Sequence, residues 1–208
     1  DVPRVIFYIK VLKKGEVGIY EVIRNMFPDK EKDFVINIDS ANIVLVKELQ
    51  GDYDQTSINS IAKQIMDNVH SESMMSILVG VSSVAENINR LNAAYKEAQI
   101  ALEVGKVFDD EKVVLNYDNL GIGRLIYQLP TKLCELFLHE VFKKGDITLL
   151  DSETILTINK FFENDLNVSE TSRQLFVHRN TLVYRLEKIY KLTGLDLRKF
   201  DQAIVFKV

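Results

Sequence analysis

The chain has 208 residues, 47% hydrophobic and 27% charged, with nine Gly and three Pro. This composition excludes a mostly disordered chain, and no apolar run approaches the roughly 20 residues that span a bilayer as a helix. The formal charge of −4, taken alone, argues against a polyanionic partner, but a sum does not say where the charges sit.

Val2–Val11 is a nearly unbroken apolar run rich in β-branched and aromatic residues, as expected of a strand covered on both faces. A helix over 16–27 follows, ended by Pro28. Phe34–Ile38 and Ile43–Val46 form two short strands around Asp39-Ser40-Ala41-Asn42, a hairpin signal. Ser57 reads as the N-cap of a helix that carries Ile58, Ile61, Ile65 and Val69 at helical spacing. Met75–Val81 is the next strand. The segment 86–106 places Ile88, Leu91, Tyr95, Ala98 and Leu102 on one stripe, with Gly105 expected to close the helix. Val113–Leu115 is the last strand. The order β-α-β-β-α-β, extended by α-β, predicts a split-βαβ sheet with helices on one face.

From Gly121 onward the strand signal stops. Ile122, Leu125, Ile126 and Leu129 form a helical face interrupted by Pro130, and Leu133, Leu136, Phe137 and Val141 form another, running up to Lys143-Lys144-Gly145. Ile155, Ile158, Phe162 and Leu166 mark a further helix. The fold class is therefore α+β, with an α/β domain over 1–120, connecting helices over 121–149 and an all-helical domain over 150–208.

Cys134 is the only cysteine, so no intrachain disulfide forms, and it reads as a small core residue among Leu133, Leu136 and Phe137. His70, His139 and His178 lie too far apart for a common zinc pattern. No motif marks a catalytic residue, a metal ligand or a cofactor. No signal-peptide pattern opens the chain, which predicts a cytoplasmic protein with no membrane partner, and the first residue, Asp1, suggests a fragment.

The charges divide unevenly. Residues 1–164 hold 18 Lys and Arg against 25 Asp and Glu, whereas residues 165–208 hold 8 against 5. The positive end coincides with two short helices joined at Val177-His178, the pattern of a helix-turn-helix. Ser169 is the expected N-cap of the first, which runs through Phe176; the second starts near Arg179 and lines one face with Leu182, Leu186 and Ile189. A basic amphipathic helix by itself can merely solvate its polar face, so the pairing of the two helices carries the inference. The recognition helix, 179–192, fits the major groove. Its expected base contacts are Arg179, Asn180, Thr181, Tyr184 and Arg185, because an Arg fork matches guanine O6/N7 and an Asn matches adenine N6/N7. Ser169, Thr171, His178, Lys188 and Lys191 are the expected phosphate contacts.

The string NVSETSRQLFVHRNTLVYRLEKIYKLTGLDL, followed by RKFDQAIVFKV, closely resembles the C-terminal helix-turn-helix of the CdaR/PucR group of bacterial transcription regulators, over about residues 150–208. Ser172 departs from the Ala more usual there, and serine is small enough to replace it. The turn is also similar to that of Fis-type domains, which supports Arg179 and Thr181 as DNA contacts by position. The region 2–120 resembles, mainly in element order, the GGDEF-like domain that precedes this helix-turn-helix in the same group. Where a diguanylate cyclase carries Gly-Gly-Asp-Glu-Phe, this chain has Ile38-Asp39-Ser40-Ala41-Asn42, and Ile6–Lys10 offers no metal-binding aspartate. A two-metal phosphoryl-transfer site lacks its carboxylates, so the domain is expected to be catalytically degenerate.

The resemblance implies a regulator of a sugar-diacid or purine-type metabolic operon that binds double-stranded DNA as a homo-oligomer. It also implies that any sensor for a small-molecule effector lies outside this chain, before Asp1. The alternative is a nucleotide- or metabolite-binding signalling domain whose helix-turn-helix serves protein interaction.

Overall fold

The computed structural model describes residues 2–13, 18–51, 53–108, 112–142 and 149–207. The chain packs as two compact units, residues 1–127 and 128–208.

The first unit is built on a five-stranded sheet. Its elements are β1 (Arg4–Lys13), α1 (Ile19–Met26), β2 (Phe34–Asn37), β3 (Asn42–Glu48), α2 (Gln55–Ser73), β4 (Ser76–Val81), α3 (Leu91–Phe108), β5 (Val114–Asn116) and α4 (Gly123–Tyr127). A 3-10 turn, Ile88–Arg90, leads into α3. The strand order is β2-β3-β1-β4-β5, and only the β4–β5 pair is parallel. β1 is central, paired on both sides, and its pleat sends alternate residues to two cores. Val5, Phe7, Ile9 and Val11 join a core with α1 and α2; Ile6 and Tyr8 join a second core with α3. Phe7 and Ile9 are fully buried, each worth about 1.5–3 kcal/mol relative to exposure.

Helices therefore cover both faces of the sheet, not the single face expected from element order. The reason is α3, whose sheet-facing stripe is Ala94, Ala98 and Ala101. These small side chains let the helix lie close on β4, where a Cβ at Gly80 would sit 2.2 Å from the Ala98 carbonyl oxygen. Gly105 does not end α3. The helix runs on to Phe108, and Gly105 is where it presses on β5: a Cβ there would lie 2.6 Å from Leu115.

The cap of α2 also lies elsewhere than expected. Asp54 is the N-cap and accepts from the Ser57 N–H at 2.8 Å, while the Ser57 hydroxyl completes the reciprocal box. In the β2–β3 turn, Asp39 Oδ1 accepts from the Ala41 N–H at 2.7 Å and both its oxygens accept from Asn42 Nδ2. The one acidic residue of the degenerate hairpin thus serves the turn itself.

The second unit is helical: α5 (Thr131–Val141), α6 (Ser152–Glu163), α7 (Val168–Gln174), α8 (Arg179–Thr193) and α9 (Phe200–Lys207). Lys143-Lys144-Gly145 and part of the helix start expected at 16–27 lie outside the described residues. Ile158 and Phe161 of α6, Leu186 and Ile189 of α8, and Leu150 and Leu197 form its core, with Phe142, Leu166 and Phe206 packed around it. Cys134 is only partly buried and its neighbours Leu133 and Leu136 are exposed, so it is not the core residue its apolar neighbours suggested. No helix among the described residues is long and apolar enough to cross a membrane, and none of their His, Cys, Asp and Glu residues cluster in threes as a metal site.

Candidate nucleic-acid interface

α7 and α8 take their boundaries from caps. Asn167, two residues before the expected Ser169, is the N-cap of α7; its Oδ1 accepts from the N–H groups of Ser169 and Glu170 at 3.0 and 3.1 Å. Ser169 sits in the first turn, exposed. α7 stops at Gln174, and Phe176 stands in the turn with φ 54° and 96% of its surface exposed. α7 therefore ends before the Phe176 boundary that apolar spacing predicts, because spacing alone cannot separate a last helical residue from a turn.

His178 then caps α8. Its Nδ1 accepts from the Asn180 N–H at 3.2 Å, so in this arrangement the ring proton is on Nε2, free to donate outward. α8 ends at Gly194, whose φ of 79° suits a residue without Cβ.

Packing against α6 and α7 fixes which side of α8 turns outward. Leu182, Leu186, Ile189 and Thr193 are buried. On the opposite side Asn180, Tyr184, Glu187 and Lys191 are exposed within an arc of roughly 60° at 100° per residue. Arg179 and Thr181 are exposed beside them at the N-terminal end. Ser172 is buried in α7 with its hydroxyl donating to the Ser169 carbonyl at 2.9 Å, so serine fits the small-residue position.

Three expected contact residues are placed differently. Arg185 turns toward α6: Nη2 donates to Glu153 Oε2 at 2.6 Å and Nη1 to Thr157 Oγ1 at 3.0 Å, leaving 18% of its side chain exposed. Thr157 is itself fully buried. Lys188 bonds Asp151, the N-cap of α6. That ammonium, with help from Thr154, holds the Asp151 carboxyl well below the usual carboxylate range. Thr171 is fully buried and its hydroxyl donates to the Asn167 carbonyl at 2.8 Å. Two of the four cations of α8 are thus tied to α6, and among the described residues Arg179 and Lys191 make no ion pair. Glu187 shares the outward side of the helical wheel with Asn180, a position that spacing alone gives.

Comparison with known proteins agrees with this architecture. The model of the PucR C-terminal helix-turn-helix domain matches residues 154–208 and that of the GGDEF-like domain matches residues 1–104. The purine catabolism regulatory protein of Bacillus subtilis is 26% identical over 143 residues, 68% of this chain and 27% of that protein. The carbohydrate diacid regulator of Escherichia coli is 25% identical over 218 residues, 99% of this chain and 56% of that protein. The chain thus spans about a quarter and about half of these two relatives. Among solved structures, a regulator of polyketide synthase expression from Bifidobacterium adolescentis aligns with all of this chain and 79% of its own, at 19% identity and a TM-score of 0.43. With the GGDEF-like match covering half of its length and the helix-turn-helix match its C-terminal quarter, the chain belongs to the PucR/CdaR-type family.

Proposed function

We propose that the chain is the DNA-binding part of a cytoplasmic transcription regulator that controls a metabolic operon, of the sugar-diacid or purine type named for its relatives. α8 enters the major groove. Arg179, Asn180, Thr181 and Tyr184 read base edges, while Ser169, His178 and Lys191 meet phosphate. Phe176 adds an apolar contact at the groove edge. Arg185 and Lys188 are positioning residues that fix α8 on α6. The GGDEF-like unit serves assembly, the regulator works as a homodimer on a pseudo-palindromic site, and a small-molecule effector acts through a region outside this chain.

The observation that carries the reading is the outward arc of α8, exposed and polar, with its opposite face buried in the helical core. A labelled duplex from the promoter of the chain's own operon tests it. It should be retarded by the protein at moderate salt, and Arg179→Ala should weaken the specific band about 5- to 150-fold. Specific retardation that survives Arg179→Ala unchanged overturns the site.

A further inference from the structure

β2 is an edge strand of the sheet, and nothing in its sequence blunts that edge. Natural edges are usually protected by a charge, a Pro or a bulge. Here the run Phe34-Val35-Ile36-Asn37-Ile38 contains no charge and no Pro, and its pairing with β3 is regular from Phe34↔Val46 to Asn37↔Ile43. Phe34, Ile36 and Ile38 alternate on one face and are each 44–45% exposed.

The backbone direction follows from the hairpin. The Ile38 N–H donates to the Asn42 carbonyl at 3.1 Å. Alternation in an antiparallel ladder then turns the polar groups of Phe34 and Ile36 toward β3, and those of Val35 and Asn37 outward. The outward groups and the exposed apolar side chains therefore occupy alternate positions of the same five residues.

We propose that β2 is the seam of a two-fold homodimer, pairing antiparallel with its own copy about Ile36. This register opposes Ile36 to the partner's Ile36 and Phe34 to the partner's Ile38. It also lets Val35 and the partner's Asn37 exchange both N–H···O=C bonds, twice over by symmetry. A two-fold axis normal to the sheet keeps all six apolar side chains on one side, where they continue the α3-side core.

Charge agrees with the register. A groove of about 670 Å³ at the Phe34 end is lined by Arg24, Lys30, Asp33 and Arg4, of which Arg4 is already paired with Glu48 at 3.4 Å. Arg24 and Lys30 make no ion pair among the described residues, and Asp33 is already held by Lys47 at 2.9 Å. In this register the partner's Asp39 stands opposite Asp33; Lys47 already holds Asp33, and Arg24 and Lys30 line the groove beside the incoming carboxylate.

The inference rests on the homodimer part of the proposed function. Its test is read without DNA, so its failure leaves the DNA-binding result standing. The chain should run as a dimer in light scattering. Ile36→Lys should raise the dimer dissociation constant about 100-fold, because a charge is then buried in the seam. Asn37→Pro removes an outward N–H and no bond to β3, so it should also give a folded monomer by circular dichroism. Ile36→Cys with Cys134→Ser should form an interchain disulfide under mild oxidation, since opposed residues of a non-hydrogen-bonded pair lie about 4.5 Å apart at Cα. A parent that is monomeric at roughly 100 μM overturns the proposal. So does a dimer that survives both seam variants, including one broken instead by Leu136→Glu on the exposed face of α5.

Discussion

Arg185→Ala should destabilise the helical unit while leaving base recognition nearly intact, the reverse of what its place in a basic helix suggests. The side chain is 18% exposed and donates to the buried hydroxyl of Thr157 at 3.0 Å and to Glu153 at 2.6 Å. A hydrogen bond from a charged donor contributes about 1.5–3 kcal/mol. The pair with Glu153, whose side chain is 74% exposed, adds no more than about 0.2–1 kcal/mol after screening. Thr157 keeps its own donated bond to the Glu153 carbonyl at 2.8 Å, so no orphaned donor is added to the cost. About 2 kcal/mol is therefore expected, which for a unit of this size lowers Tm by roughly 8–16 °C. Arg179→Ala is the contrast. The Arg179 side chain is exposed and makes no ion pair among the described residues, so stability should stay within about 0.5 kcal/mol, while affinity for the operator falls by about 1–3 kcal/mol, or roughly 5- to 150-fold. Calorimetry of the full chain and fluorescence anisotropy with operator DNA well below Tm separate the two effects. If Arg185→Ala left Tm unchanged and cost as much affinity as Arg179→Ala, the placement of Arg185 against α6 would be refuted.

Other outcomes follow from single residues. Lys191→Ala should weaken binding to all sequences alike and flatten the plot of log affinity against log salt by about one unit, because one phosphate fewer releases its counterion. Gly80→Ala should cost at least about 1–3 kcal/mol by chemical denaturation, since its Cβ would lie 2.2 Å from the Ala98 carbonyl, a backbone atom. Melting temperature should be flat above about pH 5 and fall below about pH 4. Asp54, Asp151 and Asp196 are all held below their ordinary value, so the unfolded chain takes up these protons first and their contribution fades as pH falls through the folded values. Asp151→Asn, which keeps a good N-cap, should weaken that acid dependence.

Much of this was legible in one sequence because it depends on local spacing. The strands announce themselves by apolar runs, and the recognition helix by Leu182, Leu186 and Ile189 at helical intervals. What was not legible depends on a neighbour. Small residues at Ala94, Ala98 and Ala101 do not say which face of the sheet α3 covers; that follows only once it packs over Ile6 and Tyr8. Gly105 looks like a helix terminator in sequence and is a contact with Leu115 in space. The caps moved for a related reason, because several of Asn167, Ser169, Asp54 and Ser57 satisfy the same side-chain rule and only backbone geometry selects between them. The inward turn of Arg185 was not legible because a helical wheel of α8 alone does not contain α6.

That third helix changes how the basic character of α8 works. Asp151 and Glu153 lie at the N-terminal end of α6, where the helix dipole favours carboxylates, and from there they hold Lys188 and Arg185. Half of the positive charge of α8 is thereby spent on orienting the helix. The outward arc holds Asn180, Tyr184, Glu187 and Lys191, with Arg179 and Thr181 exposed to either side of it at the N-terminal end. A carboxylate there repels phosphate and reduces attraction to arbitrary DNA, whereas hydrogen bonds to the right base edges still form. Specificity, as the ratio of operator to random binding, then gains more than affinity does. Glu187→Gln should therefore strengthen binding to random duplex several-fold and steepen its salt dependence, with a smaller gain on the operator. An equal gain on both would mean that Glu187 lies away from the DNA and that α8 docks through a different arc.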